Sequence, residues 1–180
     1  TGTRGAKRDL RVSDGFLLVA ATWLLTPVFG ALPLMLYLPE LSFTDAYFEA
    51  TSGLTTTGAT VLTGLDALPV SINLWRCFMH WIGGMGVIVL MVAVLPLLGI
   101  GGRQIFRAET PGPMKESSLT PRIAETAKGL WLVYVLLTVA CAGALWQAGM
   151  DPREALIHAF SIMGLGGFST RDASLGAFAS

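Results

Sequence analysis

Thr55-Thr56-Thr57-Gly58-Ala59-Thr60 is a short polar run set between two stretches apolar enough to cross a bilayer. Backbone that leaves helical form at membrane depth is tolerated only where protein covers it or where it lines a watery path. Four hydroxyl residues and a glycine favour the lined path, because such a segment can turn its carbonyl oxygens inward and replace the water shell of a cation. Ion conduction is therefore the first hypothesis for this chain.

Composition points to the same setting independently of the motif. The 180 residues are 53% hydrophobic and only 13% charged, with a mean hydropathy of +0.63. Soluble domains average roughly 45–50% apolar and 25% charged residues, so an integral membrane protein in contact with lipid is expected. Formal net charge is zero, but its distribution is uneven. Arg4, Lys7, Arg8 and Arg11 crowd the N-terminus, and Arg103, Arg107, Lys115, Arg122 and Lys128 crowd the middle. From Val12 to Trp75 there is no Lys or Arg, only the acids Asp14, Glu40, Asp45, Glu49 and Asp66. The positive-inside rule places both basic segments in the cytoplasm and opens the Thr/Gly run outward.

Length alone marks three spans, Phe16–Leu38, Cys77–Ile100 and Gly129–Met150. Each exceeds the roughly 20 residues needed to cross about 30 Å of hydrocarbon. Pro27, Pro33 and Pro96 fall inside them, as membrane helices allow when neighbours supply the lost bonds. Two shorter helices carry N-terminal signals, Ser42-Phe43-Thr44-Asp45 and Asp151-Pro152-Arg153-Glu154. Each has a capping residue followed three positions later by an acid, and Pro152 takes the favoured first helical position. These helices run to about Leu54 and Met163, and at 1.5 Å per residue each is under ~20 Å long, about half a membrane. A half-length helix leading into a Gly-bearing segment reads as a re-entrant pore loop, and its C-terminal partial charge favours a cation just beyond it.

The two units align at a constant offset of 109 residues. Ser42 falls on Asp151, Asp45 on Glu154, Ala46 on Ala155, Ala50 on Ala159, Ser52 on Ser161 and Gly58 on Gly167. Two full spans separate the loops, so both re-enter from one side and the repeats are parallel; inverted repeats of secondary transporters require an odd number of crossings. If both loops strip water from the same ion, Gly58 and Gly167 lie within roughly 10 Å of each other.

The ordered series Asp45-Ala46-Tyr47-Phe48-Glu49-Ala50-Thr51-Ser52-Gly53-Leu54 with the Thr/Gly run, Gly64-Leu65-Asp66, Leu74-Trp75-Arg76, Trp81-Ile82-Gly83-Gly84-Met85-Gly86 and Gly166-Gly167-Phe168-Ser169-Thr170-Arg171-Asp172 resembles the TrkH-type subunits of the Trk/Ktr/HKT potassium transporters. The resemblance runs from about Asp9 to the end of the chain. It implies an all-α membrane protein of parallel, potassium-channel-like helix-pore loop-helix repeats. Three transmembrane helices and two re-entrant pore helices fall in this stretch. The organisation expected is a cytoplasmic segment over 1–15, a first repeat over 16–100, a cytoplasmic connector over 101–128 and a second repeat over 129–180 that ends after its filter loop. Such a pore needs four filter loops and this chain holds two, so it reads as a fragment of a longer subunit.

By the same resemblance, Thr55, Thr56, Thr57 and Gly58 form the first selectivity filter and Leu165, Gly166, Gly167 and Phe168 the second. The carbonyls of Thr56, Thr57, Gly58, Gly166 and Gly167 then act as potassium ligands. Family members with serine at the first filter glycine tend to favour sodium, so Gly58 points to potassium. The second loop has Gly164-Leu165-Gly166 where Ser/Thr-bearing stretches are more common in the family, a change that leaves carbonyl coordination intact. Also implied are the cytoplasmic (inner) membrane, a homodimer, a cytoplasmic ring of nucleotide-binding regulatory domains, and potassium as substrate with no covalent cofactor. The alternatives are a sodium-permeable member of the family, a secondary transporter of another solute and a non-conducting membrane scaffold.

The remaining polar residues carry less. Gly83-Gly84-Met85-Gly86 lacks the third glycine and the βαβ setting of a phosphate loop, and reads as close helix packing through small residues. His80 is expected to be a packed side chain rather than a proton relay, and Glu49 to satisfy donors behind the filter rather than hold an ion. Arg76 and Arg171 are expected to snorkel or to pair with Asp66 or Asp172. Cys77 and Cys141 lie in spans with no catalytic His/Asp grouping beside them, so no enzyme chemistry, disulfide or zinc site is expected. Nothing in the chain suggests a nucleic-acid partner.

Overall fold

The computed structural model describes residues 12–94 and 119–178. Five α-helices and no strand occur among the described residues: α1 (Val12–Tyr37), α2 (Phe43–Leu54), α3 (Val70–Val94), α4 (Leu119–Gln147) and α5 (Pro152–Met163). Short 3-10 turns lie at Leu65–Ala67 and Ser174–Phe178. The basic residues Arg4, Lys7, Arg8, Arg11, Arg103, Arg107 and Lys115 lie outside the described residues, as do Pro96 and the rest of 95–100.

Both half-length helices begin where their caps predict. Ser42 holds an extended backbone at φ −65° and ψ 154°, and its Oγ accepts the Asp45 N–H at 3.1 Å while donating to the Asp45 carboxylate at 2.7 Å. Asp151 accepts the Arg153 N–H at 2.9 Å, and Pro152 opens α5 where no intrahelical N–H is needed. The full-length helices begin earlier than hydropathy indicates. Helix α4 starts at Leu119, not Gly129, because Pro121 is harmless in a first turn and the polar residues that follow are sound helix formers. Helix α3 starts at Val70 rather than Cys77, adding about two turns that carry Asn73 and Arg76. Helix α1 continues unbroken through Pro27 and Pro33. Two segments, Gly15–Tyr37 and Glu125–Gln147, are long and apolar enough to cross a membrane.

Helix α2 packs between α1 and α3, and α5 between α4 and α3, so α3 is shared by both units. Ala31 and Leu34 of α1, Ala46, Ala50 and Leu54 of α2, and Ile72 and Met79 of α3 form the larger buried cluster. The small side chains of α2 let the three backbones come close, which is how membrane helices gain contact without a hydrophobic drive. Aromatic side chains tie the helices through carbonyls and hydroxyls: Tyr47 Oη donates to Leu24 O at 3.0 Å, Trp75 Nε1 to Gly30 O at 2.9 Å, Trp81 Nε1 to Thr138 Oγ1 at 2.9 Å and Tyr134 Oη to Trp81 O at 3.0 Å. Outward-facing Leu17, Leu18, Phe29 and Leu36 on α1, and Leu132, Leu136 and Val139 on α4, leave broad apolar surfaces.

Candidate functional site

Each half-length helix ends in the same backbone device. In the first unit the N–H groups of Thr55, Thr56 and Thr57 donate to Thr51 O, Gly53 O and Ser52 O at 2.8, 3.1 and 2.9 Å. In the second, Gly164, Leu165 and Gly166 donate to Phe160 O, Ile162 O and Ser161 O at 3.1, 2.9 and 3.1 Å. Every donor and acceptor is displaced by the same 109 residues. The dihedrals follow: Thr56 and Leu165 are left-handed at φ 56° and 58°, and Gly58 and Gly167 at 77° and 95°. Left-handed backbone is rare for Thr and Leu, so finding it twice at equivalent places marks a shape that the surroundings impose.

The equivalence extends past the loops. Thr60 Oγ1 accepts the Leu62 N–H at 3.1 Å, and Ser169 Oγ accepts the Arg171 N–H at 3.1 Å. Each hydroxyl is anchored from the middle of its own half-helix, Thr60 by Glu49 at 2.9 Å and Ser169 by His158 Nε2 at 3.0 Å. Glu49 and His158 are themselves 109 apart.

The two loops meet. A Cβ on Gly58 would overlap the carbonyl of Gly166 and lie 3.6 Å from the Gly167 nitrogen, so the first glycine rests against the second loop's backbone. Helix α3 closes the arrangement from one side. A Cβ on Gly83 would overlap Leu54 backbone atoms, and one on Gly84 would come within 2.9 Å of both Gly164 Cα and Tyr134 Oη. Glycine is therefore the residue that lets α3 touch the ends of both half-helices, as the close-packing reading of this segment anticipates.

Of the eight residues assigned to filters by sequence, Thr55, Thr57, Leu165 and Gly167 are exposed, Thr56 and Gly58 half-buried on the first loop, and Gly166 half-buried on the second. Thr55 Oγ1 bonds Thr51 O at 2.7 Å and contacts Thr57 Oγ1 at 2.8 Å. Phe168 is turned inward, its ring stacked on His80 at 4.1 Å and lying under the Arg76 guanidinium at 4.4 Å; its carbonyl accepts from the Cys77 thiol at 3.8 Å. Cys77 and Cys141 are both free thiols.

Arg76 corrects an expectation. It neither snorkels nor pairs with Asp66 or Asp172. Its side chain is wholly buried, with Nε on the equally buried Glu49 carboxylate at 2.8 Å. Glu49 meanwhile accepts from Thr60 Oγ1 and from the Val61 N–H at 3.1 Å, so it serves donors behind the loop. Arg171 is the residue that pairs with Asp66, at 3.2 Å, and it also reaches Glu154 at 3.3 Å. Asp66 accepts the Asp172 N–H at 3.2 Å as well; that backbone bond first, and Arg171 second, hold its carboxyl below the ordinary 3.8. His80 sits behind the second loop, its Nδ1 3.2 Å from Ser161 Oγ.

Sequence reasoning missed two elements here. Arg76 is the first basic residue after a long stretch with none, and Glu49 the one acid beyond the first turn of either half-helix, which was a visible sign that they belong together. His158 was visible only through its register with Glu49.

A family model for TrkH, described as a cation transport protein, matches residues 2–180. The chain is 57% identical over 176 residues to the Trk system potassium uptake protein TrkH of Escherichia coli K12, covering 97% of this chain and 36% of that protein. It is 46% identical over 177 residues to the Trk system potassium uptake protein TrkG of the same organism, covering 98% and 36%. Among solved structures, the crystal structure of the potassium transporter TrkH from Vibrio parahaemolyticus matches at a TM-score of 0.81 and 51% identity, covering 98% of this chain and 35% of that one. The chain thus spans about a third of the length of these relatives. With a family model matching nearly its whole length and two equivalent loops meeting at Gly58 and Gly166, this chain belongs to the TrkH family of cation transport proteins.

Proposed function

We propose that this chain supplies two neighbouring filter loops of a potassium-uptake pore in the cytoplasmic membrane, with the carbonyls of Thr56, Thr57, Gly58, Gly166 and Gly167 replacing the ion's water. The observation that carries this reading is the meeting of two loops with one backbone conformation, each fed by the C-terminal end of a half-length helix. Helix C-termini carry about half a negative charge, so two converging ends favour a cation without any ionised side chain. Backbone oxygen is the ligand such loops offer a hard cation. The relatives' names, potassium uptake proteins and a potassium transporter, agree with this substrate.

In this reading α1, α3 and α4 cross the bilayer, the loops open outward, and the N-terminus and the 101–128 connector face the cytoplasm. A homodimer on a cytoplasmic nucleotide-binding ring belongs to the same proposal and rests on family resemblance alone. A single cysteine at the exposed Thr63, in a background without Cys77 and Cys141, is expected to label from outside; labelling from the cytoplasmic side alone would reverse the orientation.

The decisive experiment is Gly58→Ser in the full-length subunit, reading the ratio of potassium to sodium flux in vesicles at equal protein. A side chain there meets both a left-handed φ and the Gly166 carbonyl. The strain alone is about 1–2 kcal/mol, enough to lower the flux ratio about tenfold if it falls on ion discrimination. An unchanged ratio in well-assembled protein removes this loop from the filter.

A further inference from the structure

One turn of α3 reaches into both loops at once. Arg76, wholly buried, gives Nε to Glu49 at 2.8 Å and Nη2 to Thr60 Oγ1 at 3.2 Å, which fixes the exit of the first loop. The same guanidinium gives Nη1 to the Ser169 carbonyl at 3.1 Å and lies over the Phe168 ring, which fixes the exit of the second. Asn73, one turn earlier and also buried, repeats the pattern. Its Nδ2 donates to Leu65 O at 3.0 Å and to Thr170 O at 3.4 Å, while its Oδ1 accepts from Arg76 Nη1 at 3.1 Å.

We infer that Asn73 and Arg76 are positioning residues that set the spacing of the two loops, and through it the discrimination between potassium and sodium. The two cations differ in size and in hydration, so a filter of carbonyls discriminates between them only while the number and placement of those carbonyls are held. The loops are 109 residues apart in the chain, and their direct contact at Gly58 and Gly166 fixes a closest approach but supplies no donor. A rigid, buried fork that bonds the two exits adds a constraint closer to the loops than the more exposed Asp66–Arg171 and Asp66–Asp172 links. Planarity is what matters: this guanidinium serves four acceptors from one flat fork and stacks on a ring with its face, whereas an ammonium on the same stem does neither. Burial makes each bond consequential, because an abandoned carbonyl behind the loops finds no water to replace the lost donor. Glu49 neutralises the charge, so the pair adds position to the site and little net field.

This inference rests on the filter reading, and its test separates the two. Arg76→Lys and Asn73→Leu are prepared in the full-length subunit beside Gly58→Ser, and potassium and sodium fluxes are measured singly in vesicles at equal protein, together with the thermal midpoint of the purified subunit. Lysine keeps the charge and the partner Glu49, so a merely structural ion pair predicts an unaltered flux ratio. The clamp predicts a potassium-to-sodium ratio lower by about tenfold, equivalent to about 1.4 kcal/mol of discrimination, with the loss coming from raised sodium flux. Asn73→Leu keeps Arg76 on Glu49 and predicts a smaller fall in the same direction; it decides the matter if Arg76→Lys does not assemble. Normal ratios in both variants, with Gly58→Ser altered, overturn the clamp and leave the filter. Normal ratios in all three overturn both.

Discussion

The first loop reads Thr55-Thr56-Thr57 and the second, at the same register, Gly164-Leu165-Gly166, yet the two backbones are alike down to individual hydrogen bonds. Helix α3 explains the difference. It runs past the second loop so closely that a Cβ on Gly164 would overlap the His80 carbonyl and one on Gly166 would overlap the His80 ring. Thr55 and Thr57 have room for side chains, and spend them on bonds to Thr51 O and to each other. The departure of the second loop from a hydroxyl-rich sequence is thus a packing requirement. The anchors differ as well, a carboxylate locked to a buried guanidinium behind the first loop and an imidazole behind the second. Backbone shape is the common property, and each loop reaches it with the chemistry its neighbours permit.

The largest expected contrast lies between those anchors. Glu49→Leu strands Arg76 as an uncompensated buried charge, a loss of about 3–5 kcal/mol. His158→Leu gives up bonds to Ser169 Oγ and to Glu154 O at 2.9 Å, worth about 1–3 kcal/mol with the partners left unsatisfied. Thermal unfolding of the purified full-length subunit should therefore rank Glu49→Leu well below His158→Leu. The reverse order would mean that the buried ion pair is not what holds the first unit.

A second contrast tests the crowding by α3. Gly166→Ala drives a methyl into the His80 ring, and overpacking of this kind costs about 1–3 kcal/mol. Thr57→Ala, at the equivalent position, gives up one partly exposed hydroxyl contact, about 0.5–1.5 kcal/mol. Pairing Gly166→Ala with His80→Ala sharpens the point, since the smaller neighbour should restore part of the midpoint. Absence of any rescue would place the cost of Gly166→Ala in the backbone.

The smallest effect is expected at the outer rim, where Asp66 accepts from Asp172 and Arg171. Its pKa is lowered on folding, so its contribution is present above 3.8, the ordinary value, and disappears as pH falls through the folded one. Asp66→Asn should leave stability near neutral pH almost untouched, as exposed pairs usually do. It should flatten the decline between pH 3.8 and more acid conditions. An acid limb of the stability curve identical to that of the unaltered protein would show that Asp66 is not among the groups that shape it.

The parts of this molecule written in local chemistry were legible from the sequence. Ser42 and Asp151-Pro152 announced both half-helices, whose ends at Leu54 and Met163 fall where expected, and the 109-residue register placed the loops in correspondence. Helix starts were less legible, since hydropathy sees only the apolar part of a helix and passes over Leu119–Lys128 and Val70–Arg76. Least legible were contacts between elements. Arg76 had several acids within plausible reach, and only the crossing of α2 and α3 selects Glu49. His80 gave no sign that it shapes the second loop, because that influence acts through excluded volume and leaves no motif.

Gly83 and Gly84 have a mechanical consequence. With no side chain between the axis of α3 and the ends of α2 and α5, the contact has no soft layer to compress, and close-packed atoms yield little under load. Sliding α3 by about one ångström, a small fraction of the ~5.4 Å helical pitch, presses on Leu54 and Gly164 together. The helix is then a rail on which both loops ride, so stiffness measured at one is stiffness shared by the other.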